Sequence, residues 1–336
     1  MKEFYSFTDE ERVSIENALV DVSKISPYDN EKLFQDEIQK IIDNKSLPDF
    51  FINLCNEIKK ERKNNRRTHV IKNCPIEYDI PDLNLDNPVK DKYKFKKSFI
   101  GESFLAVFNK LLETPLFSYA SRNNGDFFTD VIAIKKFKGK NTGFTDGDLI
   151  YHNDRTSHPI RADYITLLGV RCPEEDLVYT NVINVSDIIS KLNEKDLAVL
   201  KKNIFYTKVD DLTKETVKNW NVSKKHPIIF EDKIRFQDTL TKPIDENNLC
   251  AYKALLNLRD AMTKSTKYRH RLEKRDLLVF PNQYALHNRE RIEVKNPDIT
   301  SKRWLLKTYS FESNDVAEKY SEFWTNGKFG RVNDGV

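Results

Sequence analysis

Four short β-rich runs, FFTDVIAIKKF (127–137), DLIYH (148–152), YITLLGVR (164–171) and LVYTNVINV (177–185), follow one another with Gly, Asn, Asp and Pro between them. No other feature limits the fold as strongly. Short runs of this kind, closed by turn residues, predict strands of a mostly antiparallel core. The β signal returns in DLLVFPN (276–282) and RWLLKTYSF (303–311).

The flanking segments read differently. Thr8 and Glu11 have the spacing of a capping box, which predicts a helix from 9 to about 22. Further helices are expected over 31 to about 42, 48 to about 60 and 98 to about 112, the second opening on a proline. Residues 1–67 therefore form a helical N-terminal extension, and 68–185 with 266–312 make the β core. Residues 186–265, lysine-rich and helical in pattern (VSDIISKLNEKDLAVLKKN), read as an insertion or lid between core strands, and 313–336 as a C-terminal tail.

Composition excludes several classes of function. Of 336 residues, 39% are hydrophobic and 11% aromatic, enough for a packed core and against disorder. The 56 basic and 52 acidic side chains nearly cancel and are interspersed, so no nucleic-acid footprint is expected. The run KKERKNNRR (59–67) closes a predicted helix, where cations complement the dipole. Cys55, Cys74, Cys172 and Cys250 show no CxxC pairing, no apolar run is long enough to span a bilayer, and the first residues are charged. A cytoplasmic protein with reduced thiols and no membrane partner is the expectation.

The chemistry concentrates at His152-Asn153-Asp154, directly after the apolar DLIY. In extended chain, residues two apart project to the same side, so an imidazole and a carboxylate can converge. His287 lies 135 residues later, just past the apolar run and proline turn of LLVFPNQYALH. Two histidines and a carboxylate on one face of a metal leave positions open, as non-haem iron(II) requires for a bidentate co-substrate and dioxygen. By itself His-X-Asp is a weak motif, and two ordinary histidines would account for it equally well. Arg303, in RWLLK, adds a guanidinium suited to holding a carboxylate beside such a metal, although an arginine packed on a neighbouring aromatic ring would look the same.

The phrase YHNDRTSHPIRADYITLLGVRCPEE resembles the block around the first two iron ligands in the clavaminate synthase-like branch of the taurine-dioxygenase superfamily. LLVFPNQYALHNR followed by RWLLKTY resembles that branch's second block, and THVIKNCPI (68–76) its early strand. The resemblance implies a single oxygenase domain over 1–336 with a distorted double-stranded β-helix, or jelly roll. It implies iron(II) as cofactor, with 2-oxoglutarate and dioxygen as co-substrates. His152, Asp154 and His287 match the iron ligands, Arg303 the arginine for the far carboxylate of 2-oxoglutarate, and Thr180 a threonine sharing that carboxylate. Two departures stand out: the spacing from His287 to Arg303 is about two residues longer than usual, and Lys307 replaces a second arginine that grips the substrate's carboxylate in relatives acting on free amino acids. Lysine keeps the charge and loses the fork.

The same resemblance implies substrate contacts at Ser121, Arg122, Asn123 and Thr142, and at Asp238 in a lid segment whose acidic residues meet a basic side chain in arginine-hydroxylating relatives. His158 and Arg161 belong to the matching block and suit either local structure or substrate contact. The implied reaction is hydroxylation of an unactivated C–H bond in a free L-amino acid or derivative, with an arginine- or lysine-like side chain as the first expectation, and release of succinate and CO2. Desaturation, cyclisation or a carrier-bound substrate would use the same residues. A metal-free β-sandwich binding module would need none of them.

Overall fold

The computed structural model describes residues 1–140, 142–145, 147–217 and 220–334. Its strands are β1 (His69–Lys72), β2 (Leu116–Tyr119), β3 (Thr129–Ile132), β4 (Leu149–His152), β5 (Tyr164–Arg171), β6 (Leu177–Asn184), β7 (Tyr268–Arg271), β8 (Leu277–Pro281), β9 (Ala285–Glu293), β10 (Trp304–Ser310) and β11 (Arg331–Val332), with shorter pairs besides. The larger sheet has the order β1-β8-β5-β10-β2-β11, with β3 also on β10 and a two-residue strand, Tyr5–Ser6, outside β1. The smaller sheet has the order β7-β6-β9-β4. Pairing is antiparallel except where Tyr5–Ser6 meets β1 and β11 meets β2. The result is a mixed α/β molecule built on two sheets.

Strand alternation divides the molecule into layers. On β5, β8 and β10 the residues Leu168, Val170, Leu277, Val279, Trp304 and Leu306 join one apolar cluster with the N-terminal helices. Their neighbours Ile165, Leu167, Leu278, Phe280 and Leu305 join a second cluster with Val182 of β6 and Ala285 of β9. A period of two, buried on both faces, gives strands that are apolar throughout. On the far side of the smaller sheet, Ile183 and Leu286 enter a third cluster with the insertion. The site lies in the middle layer, between the two sheets.

The N-terminal helices follow from their residues. Helix α1 (Asp9–Leu19) starts on the expected capping box, with Glu11 N donating to Thr8 Oγ1 (3.1 Å) and Thr8 N to Glu11 Oε2 (3.0 Å). Helices α2 (Glu31–Asp43) and α3 (Asp49–Lys63) bury Phe34 with Ile38, and Phe51, Leu54, Cys55 and Ile58, each a single helical stripe. Pro48 is the residue that caps α3 rather than its first helical position. Helix α4 (Pro88–Phe95) precedes α5 (Ile100–Leu111), which is buried over almost its whole circumference between the other helices and the larger sheet. Gly101 permits that approach, because a Cβ there would lie 3.1 Å from Leu306 Cδ1 and 3.4 Å from Leu168 Cδ2.

The described residues of 186–265 form a layer of their own. Val185–Ser190, Glu194–Leu200 and the longer α6 (Leu249–Lys264) are helices, and α6 packs Ala254, Leu255, Leu258 and Met262 inward. The segment returning from this layer touches the end of β4: Asn153 N donates to Phe236 O (3.1 Å), and Asp238 N to Tyr151 O (3.0 Å). The insertion thus roofs the strand that carries the first histidine. One expected strand is much shorter than the sequence suggested. Residues 127–137 form a strand only over Thr129–Ile132, because the chain turns at Lys135–Phe137.

Candidate active site

His152 is the last residue of β4, and its Nδ1 lies 2.7 Å from the Ile150 carbonyl oxygen. Donation there puts the proton on Nδ1 and leaves the Nε2 lone pair free. His287 stands opposite it in register, inside β9 rather than in the loop beyond a strand that the sequence suggested. The two rings are 4.2 Å apart between centroids, and Phe280 flanks His287 at 4.7 Å. Asp154 Oδ1 lies 3.4 Å from His152 Nε2 and 3.5 Å from His287 Nε2. One donor atom from each residue falls within 4.8 Å of the others.

The turn carrying Asp154 is clamped from both sides. Asp154 N donates to Asn282 Oδ1 (2.7 Å), while Asn282 Nδ2 donates to Asp154 O (3.3 Å) and Ala162 O (3.1 Å). Asn153 Nδ2 bonds Asn282 O and Ala285 O, and its Oδ1 accepts from Phe236 N (2.9 Å). The side chain between the two ligands therefore ties β4 to the β8–β9 turn and to the roof.

Burial raises the Asp154 carboxyl pKa, but Lys307, with the two neighbouring histidines, outweighs it and holds the group well below the usual carboxylate range. Burial, reinforced by His152, lowers His287 to about 4. A neutral imidazole and an ionised carboxylate are the states a metal binds. Lys307 Nζ, on β10, ion-pairs with Asp154 Oδ2 and lies 4.8 Å from the centre of the Tyr309 ring. Burial lowers the lysine's pKa, and Asp154 more than reverses that. This His-Asp-His donor set, with three donor atoms within 4.8 Å of one another, fits a single divalent metal of the iron(II) type.

Two chambers meet at these residues, sharing Val131, Gly143, Leu149, His152, Asp154 and Lys307 as walls. The smaller, about 550 Å³, extends to Thr180, Arg289 and Arg303. Arg303 interacts electrostatically with Cys172 and Asp176, and the buried Thr180 borders the same chamber. The larger, about 820 Å³, extends to Arg122, Asn123, Thr142, Arg155, Asp210 and Gln237.

Three expected substrate residues lie elsewhere. Ser121 does not line the larger chamber, because its backbone N and hydroxyl both donate to Asp334, brought in by the C-terminal segment. Arg161 borders neither chamber; its Nη2 donates to Gln283 Oε1 (3.2 Å) in the β8–β9 turn. Asp238 accepts from Arg259 Nε of α6 (2.7 Å), and its neighbour Gln237 borders the chamber instead. His158 packs edge-on to Tyr119 and bonds Ile160 O, a local structural part.

Sequence reasoning missed Arg289, Arg155 and the Asn153–Asn282 clamp. Arg289 follows His287 by two in the same strand, and its guanidinium donates to Gly147 O (2.7 Å) and Thr145 O (2.6 Å), tying down the loop before β4. A period of two from His287 was the available signal. Asn153 stood inside the motif, but nothing local pointed to its partners.

Among curated proteins no sequence matches this chain. Its fold matches solved structures closely at low identity. An asparagine oxygenase in complex with Fe(II), 2S,3S-3-hydroxyasparagine and succinate superposes with a TM-score of 0.80 at 14% identity, over 98% of both chains. The non-haem iron oxygenase OrfP superposes at 0.77 with 16% identity in its complex with Fe and alpha-ketoglutaric acid, and at 0.78 with 16% in its complex with Fe, succinate and (3S)-hydroxy-L-Arg, each over 98% of this chain and 99% of that one. The family model for taurine catabolism dioxygenases matches residues 101–309, more than half of the sequence and the stretch that holds both histidines, Asp154, Thr180 and the two basic residues of β10 and its approach. The chain belongs to the TauD, TfdA family of taurine catabolism dioxygenases.

Proposed function

We propose that this protein is an iron(II)- and 2-oxoglutarate-dependent dioxygenase that hydroxylates an unactivated C–H bond of a free L-amino acid. One observation carries the reading: the His152, Asp154 and His287 donors sit where two chambers meet, so two organic molecules can reach one metal from different sides. The family and the neighbours' bound Fe, 2-oxoglutarate, succinate and hydroxylated amino acids support it. The two facing sheets are read as the distorted jelly roll of such enzymes, in one domain over 1–336.

His152, Asp154 and His287 would hold the iron. When bound, iron(II) with 2-oxoglutarate supplies the oxidation: one oxygen atom of O2 enters the substrate C–H bond, and the other leaves in succinate as CO2 is lost. The chain supplies binding, orientation and dryness. Arg303 and Thr180, which both border the smaller chamber, would hold the far carboxylate of 2-oxoglutarate. A planar guanidinium suits that task because it donates two parallel hydrogen bonds. Arg122, Asn123 and Thr142 border the space left for the substrate, and Lys307 lies between the two spaces, where a substrate carboxylate can replace Asp154 as its partner once metal binds. Phe280, Leu149 and Val131 keep water from the meeting point.

The test is succinate release from 2-oxoglutarate under air with iron(II) and ascorbate, across free L-amino acids, with Asp154→Ala as control. Release that needs one amino acid and disappears in the variant supports the reading. Release that persists in the variant defeats it.

A further inference from the structure

The lining of the larger chamber has an imbalance of hydrogen-bonding groups. Three carboxylates border it, and each is committed. Asp154 belongs to the metal donor set. Asp130 accepts from Lys92 Nζ (2.7 Å) and from Trp304 Nε1 (2.9 Å), all buried. Asp210 accepts from Thr213 N (2.9 Å), from Thr213 Oγ1 (2.8 Å) and from Arg122 Nη2 (3.0 Å).

The surplus is on the donor side. Arg122 Nη1 and Arg155 Nε are buried and have no hydrogen-bond partner among the described residues. Arg155 gives Nη1 to Thr213 Oγ1 (3.0 Å) and Nη2 to Asp334, and its guanidinium lies over the Tyr119 ring at 4.3 Å. Its remaining face is therefore occupied by an aromatic surface. Arg122 has no such ring; its other terminal nitrogen is anchored on Asp210 and Thr213, which fixes the fork in place. A buried donor without an acceptor is costly, and a ligand that brings the acceptor removes the cost.

We infer that the substrate is an amino acid whose side chain ends in a carboxylate or carboxamide, and that Arg122 receives that group in the larger chamber. This rests on the oxygenase reading above and narrows it. A cationic side chain would enter beside Arg122 and Arg155 and find no uncommitted carboxylate. The acidic residue that would have favoured one, Asp238, is paired with Arg259 and does not border the chamber. Asn123 and Gln237, which do, carry amides that can donate to or accept from a neutral amide. The wall is also prearranged, because Arg122 and Arg155 share Thr213 from the insertion and Arg155 is held by Asp334 from the C-terminal segment.

The experiment compares aspartate, asparagine, glutamate and glutamine with arginine, lysine, ornithine and leucine. Binding is measured calorimetrically on protein loaded with iron(II) and 2-oxoglutarate under nitrogen, and turnover by succinate release under air. At least one acidic or amide amino acid is expected to bind and turn over best. Arg122→Gln should weaken it by roughly 10- to 100-fold in Kd and KM, the worth of a charge-assisted hydrogen bond, while leaving leucine binding unmoved. Arg122→Lys should recover part of the loss. A preference for arginine, lysine or leucine overturns the inference and leaves the oxygenase standing, as does an equal loss for every amino acid in Arg122→Gln. The wild-type panel decides alone should that variant fail to fold. Failure of 2-oxoglutarate turnover with every amino acid, in protein that binds no iron, defeats the oxygenase reading instead.

Discussion

Replacing Asn282 by alanine removes the clamp on the Asp154 turn without touching a proposed metal ligand. Asn282 is fully buried just after β8, and its side chain makes three hydrogen bonds, accepting from Asp154 N and donating to Asp154 O and Ala162 O. Asn282→Ala strands one buried N–H and loses donors to two carbonyls. At about 1 kcal/mol for each lost bond and about 1–3 kcal/mol for the stranded group, the metal-free protein should lose on the order of 3–5 kcal/mol. The main chain on both sides of the Asp154 side chain is then no longer fixed. Outer partners of metal ligands are worth about 10- to 100-fold in affinity, and iron(II) binding should weaken by that amount. Urea denaturation of the metal-free protein reads the first quantity, and an iron(II) titration under nitrogen reads the second. A variant within about 1 kcal/mol of wild type that binds iron within about twofold would show that the clamp does not position Asp154.

Three further outcomes are expected. Arg303→Lys should raise the KM for 2-oxoglutarate roughly 10- to 100-fold with little change for the amino acid, because lysine keeps charge and loses the fork; equal effects on both would refute the assignment. Gly169→Ala should destabilise by at least about 1–3 kcal/mol in a denaturation curve, since its Cβ would overlap the backbone carbonyl of Glu273, and an unchanged midpoint would show that the β5–β8 edge can shift. Burial, helped by Arg62 and Arg235 respectively, lowers His69 and His226 to about 3 from an ordinary 6.5. In the unfolded chain both take up protons below pH 6.5 that the folded state refuses, so stability should fall by about 1.4 kcal/mol per pH unit for each from there down to about pH 3, and a flat profile between pH 6.5 and 5 would contradict their burial.

The parts legible in the sequence were those set by neighbours along the chain. The apolar runs of β5, β8 and β10 are buried on both faces, so local pattern was enough for the strands, while His152 and Asp154, two apart at a strand end, stood out only with the longer phrase around them. The strand β9 was obscured because ALHNRERIE turns polar as it leaves the core, and β7, YRHR, carries almost no apolar signal at the sheet edge. Ser121 was a substrate contact by the resemblance alone, and the C-terminal Asp334, 213 residues away, redirects it. Asp238 matched a lid position within a residue or two, and the fold gives the chamber to Gln237 while Arg259 takes the acid. Long-range partners of this kind are fixed by tertiary packing, which no local spacing encodes.

The central claim is that His152, Asp154 and His287 hold one iron(II) with room for 2-oxoglutarate. Its most direct test is the binding stoichiometry under nitrogen, measured for wild type and Asp154→Ala with a folded-state check by circular dichroism. The account predicts one iron and one 2-oxoglutarate per wild-type chain, with tight 2-oxoglutarate binding only when iron is present, and loss of both in the variant. Iron bound equally well by folded Asp154→Ala, or 2-oxoglutarate bound without regard to iron, would contradict it.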